Sequence, residues 1–402
     1  MQKLEPVSNT TRGFIMTKYG KYLTEKSLAH YLKIQKDEEL GGIFTRFNPD
    51  GSVAREDKHV WFLGRSMWSY AMTYLHVEKK QEYLDMCECI FDFLKKIEFV
   101  DGRFPLWVTR DGKESCSRIA GVYNEGFVAI GCAQYYRICK REDVKELAEK
   151  LFDVMYDGYY ALLGKRQNNP LEPVPTQVYG FNMAMLKNAQ FVRNAGIRVE
   201  KANELATTCV ERMNIHIDDD IKLVLEHSPL PGYEVTEDMA HTCPGHVIEG
   251  AWFTLCEAEY RGDKEMALFG KKMLDYAMPE GFDKMARLIP TSMPPSQPYN
   301  FGRSSTILAW PQNEAIIAYN LAYRMFGEEK YKKLAALIEK TAEEYFVDEE
   351  QDRWYNNIQI SDPPAKERTE KGPHTEGPFH LERMLIAMDI LLTDGNIKRY
   401  IS

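Results

Sequence analysis

Two histidines stand at the entry of helix-like segments far apart in the chain, His246 in CPGHVIEGAWF and His380 in GPFHLERML. An imidazole moves a proton near neutral pH. Two neutral rings on opposite sides of a substrate carbon suit removal of a proton from one face and its return to the other. Glu249 follows His246 by one helical step, on the same helix face, where a carboxylate can orient the ring or bind a hydroxyl. Glu314 lies in WPQNEAIIAY on an otherwise apolar helix, and burying that charge calls for a partner or a ligand. Trp310, at the start of the same segment, offers a flat apolar face for stacking. In KHVWFLGRSMWSY the aromatic residues around Arg65, among them Trp61, would desolvate its guanidinium. A guanidinium so placed can bind a carbonyl or stabilise a developing oxyanion. Arg383 lies one turn beyond His380, and Glu125 in VYNEGF and Asn182 in YGFNMAM are lesser binding candidates. Each residue also has a structural alternative: a helix cap for His246, a core ion pair for Glu314.

These residues share a position relative to the helices that must carry them. Apolar spacing of three and four predicts helices over 11–34, 59–78, 81–95, 122–139, 143–161, 177–195, 199–214, 243–262, 265–276, 308–327, 330–346 and 379–392. Short joins alternate with long ones over 35–58, 96–121, 162–176, 215–242, 277–307 and 347–377. Compact domains normally use loops of that length for function. Every candidate above sits near the start of a helix that follows a long join, and those starts recur with a period of roughly sixty residues. Six helical hairpins result, each able to bury its apolar stripe only against its neighbours. A closed double ring leaves no uncapped end and gathers the candidates at one mouth; an open helical array is the alternative. Within the long joins, GGIFTRFNPDG and GRFPLWVTRDG look like extended runs turning at Asp-Gly.

Composition narrows the classes. The 402 residues, 44% of them hydrophobic, are enough for one large core, and we read 1–402 as a single catalytic domain. A formal net charge of −9 without a long Lys/Arg stripe argues against a nucleic-acid partner. No eighteen-residue apolar stretch is present to span a membrane, and the opening MQKLEPVSNTTRGF has no signal-peptide pattern. The eight cysteines read as reduced thiols, which points to the cytoplasm. Nucleotide-loop, HExxH and G-x-S-x-G patterns are missing. Cys243, two residues after His241, is suggestive of metal or thiol chemistry, but a lone C-x-x-H has poor specificity and no metal ligand is assigned. Glu125, Glu249 and Glu314 keep a glycoside hydrolase open, since that chemistry needs a carboxylate pair at a set separation. A non-catalytic binding protein built on the same ring is a further alternative.

Taken in order, GGIFTRFNPDG, KHVWFLGRSMWSY, YNEGF, CPGHVIEGAWF, WPQNEAIIAYNLAY and GPFHLER give the chain a resemblance to the N-acylglucosamine 2-epimerase family, which includes cellobiose 2-epimerases and mannose-type aldose–ketose isomerases. The resemblance runs from about Gly41 to Leu392 and implies an all-α fold, an (α/α)6 barrel with its long loops and short β-hairpins on the active-site face. It implies that His246 and His380 are the acid/base pair, that Arg65 lies near the reactive end of a sugar, and that Glu249 and Glu314 support the histidines or bind substrate. The implied reaction removes the proton next to the carbonyl to give an enediolate; epimerases return it to the other face of C2, isomerases to C1. It further implies a homodimer and ATP as a possible activator that is not consumed.

The leading expectation is interconversion of N-acyl-D-glucosamine and N-acyl-D-mannosamine. Two departures touch substrate choice. The last segment reads His380-Leu381-Glu382-Arg383 where His-Val-Pro-Arg is usual, and Gln312-Asn313 stands where a histidine is frequent. Joins 277–307 and 347–377 are expected to choose the substrate.

Overall fold

The computed structural model describes residues 16–48, 51–117, 121–168, 170, 173–234, 241–277, 288–290, 306–348, 353–359, 367–370 and 378–401. The chain enters through α1 (Lys18–Tyr22), a π turn (Leu23–Ser27) and α2 (Leu28–Ile34). Five helical hairpins follow: α3 (Val60–His76) with α4 (Gln81–Leu94), α5 (Tyr123–Cys139) with α6 (Glu142–Leu162), α7 (Tyr179–Asn194) with α8 (Val199–Asn214), α9 (Pro244–Arg261) with α10 (Lys264–Ala277), and α11 (Trp310–Phe326) with α12 (Glu329–Phe346). α13 (His380–Asp394) and a short α14 (Lys398–Ile401) end the described chain.

Burial separates two kinds of helix. The outer members bury one stripe at helical spacing, as with Tyr83, Met86, Cys87, Ile90, Phe91 and Leu94 of α4. The odd-numbered helices from α3 to α13 are buried around most of their circumference. A helix buried all round must be interior, and these six pack in a closed ring, α3 on α5, α7, α9, α11, α13 and back to α3. Gly64 and Gly131 permit the tightest of these contacts. A Cβ on Gly64 would meet the Phe127 carbonyl oxygen at 2.4 Å, so any side chain there forces α3 and α5 apart.

The closing pair joins the two ends of the chain. α1 and the π turn pack on α13, where the Thr17 backbone N–H and hydroxyl donate to Asp389 at 2.8 and 2.7 Å and Ser27 donates to Glu382. Across the seam the Ser69 hydroxyl donates to the Pro378 carbonyl at 2.5 Å. The (α/α)6 barrel expected from sequence is the observed architecture, its sixth pair being made from opposite ends of the chain. Two of the short joins end helices where predicted, with Gly262 and Gly327 in the left-handed conformation as C-caps.

The long joins carry small antiparallel sheets. β1 (Arg46–Phe47) pairs β2 (Val53–Arg55) in the first extended run; Asp50 of its predicted turn lies outside the described residues. β3 (Lys58–His59) pairs β4 (Trp107–Val108), and the second run turns at Asp111-Gly112. β5 (Thr176–Val178) pairs β8 (His227–Pro229), while β6 (Ile217–Asp218) pairs β7 (Leu223–Val224). β9 (Thr306–Leu308) pairs β12 (Asn357–Gln359), which also pairs β13 (Glu367–Glu370), and β10 (Val347–Asp348) pairs β11 (Arg353–Trp354). β3, β5 and β9 each run straight into the start of an inner helix. The sheets therefore cap the mouth of the ring where the inner helices begin. Most of 277–307 and 347–377, and with them the expected choice of substrate by those joins, lies outside the described residues. No helix among the described residues is long and apolar enough to cross a membrane.

Candidate active site

A cavity of about 440 Å³ opens at that mouth. Trp310 forms one wall, with a histidine ring on each side of it: its centroid is 5.6 Å from that of His246 and 5.4 Å from that of His380. The two imidazoles, remote in sequence, thus face one space.

Each ring is held through Nδ1 by a carboxylate. His380 Nδ1 lies 2.9 Å from Glu314 Oε1. Glu314 is fully buried and does not itself line the cavity. It also accepts from Trp252 Nε1 at 3.0 Å and from Arg383 Nε at 3.0 Å and Nη2 at 2.5 Å. Burial still raises the pKa of Glu314 despite Arg383. Arg383 reaches Glu249 as well, so one guanidinium joins both carboxylates. His246 Nδ1 lies 3.0 Å from each oxygen of Glu226, whose second role is to accept from the Gly180 backbone N–H. Gly180 is glycine for want of room: a Cβ there would lie 2.7 Å from His246 Nδ1.

These surroundings push the two histidines in opposite directions. His380 is held well below the ordinary histidine pKa by burial and by the positive charges of Arg383 and Arg65. It is neutral at pH 7; its Nδ1 faces both Glu314 Oε1 and, at 3.1 Å, Arg383 Nη2, and the tautomer that donates Nδ1–H to Glu314 leaves Nε2 as the base. For His246 burial also opposes charge, but Cys243 and the Glu226 carboxylate outweigh it and raise the pKa well above the ordinary value. Glu226 is correspondingly lowered, against its own burial, by the charge of His246. A base on one side and an acid on the other is the arrangement that proton removal and return require.

Arg65 projects from α3 into the cavity wall, its guanidinium carbon 4.7, 4.3 and 4.4 Å from the ring centroids of Trp61, Phe127 and Phe379. Those rings fix a cation in a low-dielectric pocket, where its pull on a developing oxyanion is strong. Trp61 lines the cavity and stacks on Tyr123 at 5.6 Å between centroids.

Of the sequence candidates, His246, His380, Arg65, Glu249, Trp61, Trp310 and Arg383 line the cavity, and Glu314 lies directly behind His380. Glu125 and Asn182 do not line it. The Glu125 carboxylate turns sideways to accept from Arg103 Nε and Nη2, both at 2.8 Å, and from the Phe104 backbone N–H. Asn182 accepts from the Tyr159 hydroxyl at 2.8 Å, tying α7 to α6. Both were placed at the mouth because they begin inner helices, but a helix start presents side chains in every direction. Glu125→Gln is therefore expected to cost about 1–3 kcal/mol of stability, through a buried charge pair, while turnover stays near that of the parent. Thermal melts beside initial rates check this.

Gln312 and Glu382, at the two departures noted above, also point elsewhere. Gln312 holds the 288–290 segment through the Ile289 backbone, and Glu382 accepts from Ser27.

Glu226 and Lys187 are among the cavity residues that escaped the sequence reading. Glu226 sits in LVLEHS, a carboxylate inside an extended apolar run, which was the available signal. Lys187 lines the cavity from the middle of α7. Its amine lies 4.4 Å from the Trp252 ring centroid and 4.8 Å from that of Phe191, and burial lowers its pKa to about 8. A lysine inside a helix buried all round was the signal missed.

The chain is similar to known proteins over most of its length. The protein-family model for N-acylglucosamine 2-epimerase (GlcNAc 2-epimerase) matches residues 42–375. The chain is 27% identical to the N-acylglucosamine 2-epimerase of Rattus norvegicus, covering 91% of this chain and 89% of that protein. It is 22% identical to a cellobiose 2-epimerase of Ruminococcus albus, covering 90% and 95%. Among solved structures, a sugar epimerase from a ruminal bacterium superposes with a TM-score of 0.75 at 19% identity, covering 94% of this chain and 98% of that one. A D-mannose isomerase superposes at 0.72 with 17% identity, covering 96% and 100%. The barrel, the paired histidines and a family match across most of the chain lead to one conclusion: the chain belongs to the N-acylglucosamine 2-epimerase family and is an enzyme of the carbohydrate epimerase and isomerase class.

Proposed function

We propose that the chain is a sugar 2-epimerase interconverting N-acyl-D-glucosamine and N-acyl-D-mannosamine. The reading rests on one observation above the others: two carboxylate-held imidazoles of opposite protonation preference flank a single tryptophan.

With the sugar open-chain and its C2 between the rings, His380 Nε2 takes the C2 proton. The electron pair of that C–H bond moves to C1–C2 and the carbonyl π pair to O1, giving an enediolate. Arg65 carries the oxyanion charge. His246 then gives its proton to the other face of C2, and O1 becomes a carbonyl again. Net charge and oxidation level are unchanged, so the reaction consumes no cofactor. Trp310 provides a face for the sugar C–H surface, and Arg383 fixes Glu249 and Glu314. Glu249 stands where it can accept from a sugar hydroxyl.

A hydrolytic reading is weakened by the carboxylates themselves: Glu125 is turned away, Glu314 is behind His380, and Glu249 is bound to Arg383. The names of the relatives, the free thiols and the family resemblance extend the proposal to a cytoplasmic homodimer for which ATP is an activator that is not consumed.

The test is incubation with a panel of aldoses in D2O, with and without ATP, followed by NMR. Deuterium at C2 of an epimeric aldose is expected, with the N-acylhexosamine the best substrate. A ketose product assigns aldose–ketose isomerisation on a mannose-like sugar instead, and a new reducing end from a glycoside assigns hydrolysis.

A further inference from the structure

We propose that Glu226, Cys243 and His246 form a binding site for a soft divalent cation of the Zn2+ or Cd2+ class, and that its occupation inhibits the enzyme. The Cys243-Pro-Gly-His246 spacing sets the thiol at the N-cap of α9 and the imidazole within its first turn. Pairing of β8 with β5 delivers Glu226 to the same point. One ligand atom from each residue, a carboxylate oxygen, Sγ and a ring nitrogen, lies within 4.8 Å of the other two. A tetrahedral zinc ion with bonds of about 2.0–2.3 Å separates its ligands by about 3.3–3.8 Å. Closing the trio around an ion therefore takes shifts of roughly 1 Å, within side-chain reach.

The donor set selects the ion. Thiolate with imidazole and one carboxylate is borderline soft and suits Zn2+ or Cd2+ over Mg2+ or Ca2+. Glu226 and Cys243 are buried while the His246 side chain keeps 33% of its surface open, so the ion enters from the cavity and its fourth position faces that space. A second trio of equal tightness, Glu249, Glu314 and His380, already surrounds a cation, the Arg383 guanidinium. That charge excludes a metal there.

Inhibition follows from which nitrogen the metal takes. An ion on Nδ1 replaces the proton that Glu226 holds, leaving Nε2–H as the one remaining ring proton. Giving that proton up would require an imidazolate. His246 is then locked and cannot cycle between acid and base. The effect on turnover rests on the 2-epimerase reading; the binding itself does not.

Cd2+ titration of the full chain in a Cys116→Ser background, which removes the exposed thiol, reads the site through thiolate-to-cadmium absorption in the near ultraviolet. No sugar is present, so failure here is separate from failure of the function. The expected result is a band saturating at one ion per chain, lost in Cys243→Ser. Glu226→Gln is expected to keep the band and bind at least ~10-fold more weakly. Should Cys243→Ser fail to fold by circular dichroism, the Glu226→Gln affinity decides. A parent protein with no saturable band, or variants with parental band and affinity, would overturn the proposal. In the parent, Zn2+ is further expected to slow turnover and a chelator to restore it.

Discussion

His380→Asn is expected to lower kcat by about 10²–10⁴-fold, the range lost with a positioned general acid or base. Asparagine can still donate to Glu314, so the Glu314–Arg383–Glu249 chain and the fold should survive, with a melting temperature close to that of the parent. The informative readout is hydrogen exchange with solvent. The epimer whose C2–H bond faces His380 should lose C2 exchange in D2O. The other epimer should keep a slow exchange, because His246 can take its proton and return it. That residual exchange should rise with pH, since His246 is protonated well past the ordinary histidine pKa and acts as a base only once deprotonated. Turnover near the parental rate would falsify the two-base reading. Loss of exchange in both epimers would show that a single group serves both faces.

The second large effect concerns pH. In the direction that uses His380 as base and His246 as acid, the active form has His380 neutral and His246 protonated. Activity falls as pH drops through the lowered pKa of His380 and as pH rises through the raised pKa of His246. A plateau around neutrality is expected. Glu226→Gln removes the negative charge that helps hold the His246 proton while keeping a hydrogen-bonding group at the same place. Loss of an adjacent opposite charge moves a pKa by about 1–3 units, here downward. The alkaline limb of kcat/KM should therefore move to lower pH by about that amount, costing roughly tenfold in rate per unit on the alkaline side. The acid limb, set by His380 with Arg383 and Arg65, should stay in place. An unmoved alkaline limb would reduce Glu226 to a packing role.

Helix boundaries were legible because they are local. α3, α4, α5 and α8 begin within a residue or two of the predicted starts: apolar spacing, terminal glycines and Pro244 at the head of α9 act through neighbours in the chain. Ring closure was legible at one remove, since helices as apolar all round as α5 and α11 have no soluble place outside a core.

Direction around a helix was less legible. Glu125 and Glu249 both lie in the first two turns of an inner helix, α5 and α9, and their spacing does not tell which way each carboxylate turns. Arg103 draws Glu125 sideways, whereas Arg383, arriving from α13, turns Glu249 toward the cavity.

By itself the amino-acid sequence determined that two histidines, remote from each other in the chain, open inner helices at one mouth of the barrel. Only the tertiary structure decided what those histidines are. His246 holds its proton more tightly because the β5–β8 pairing sets the Glu226 carboxylate against Nδ1; His380 holds its proton less tightly because it is buried and Arg383 from its own helix and Arg65 from α3 surround it with positive charge. Proton affinity is a sum over charges and burial within a few ångströms, and the residues that supply it are brought there by pairings remote in sequence.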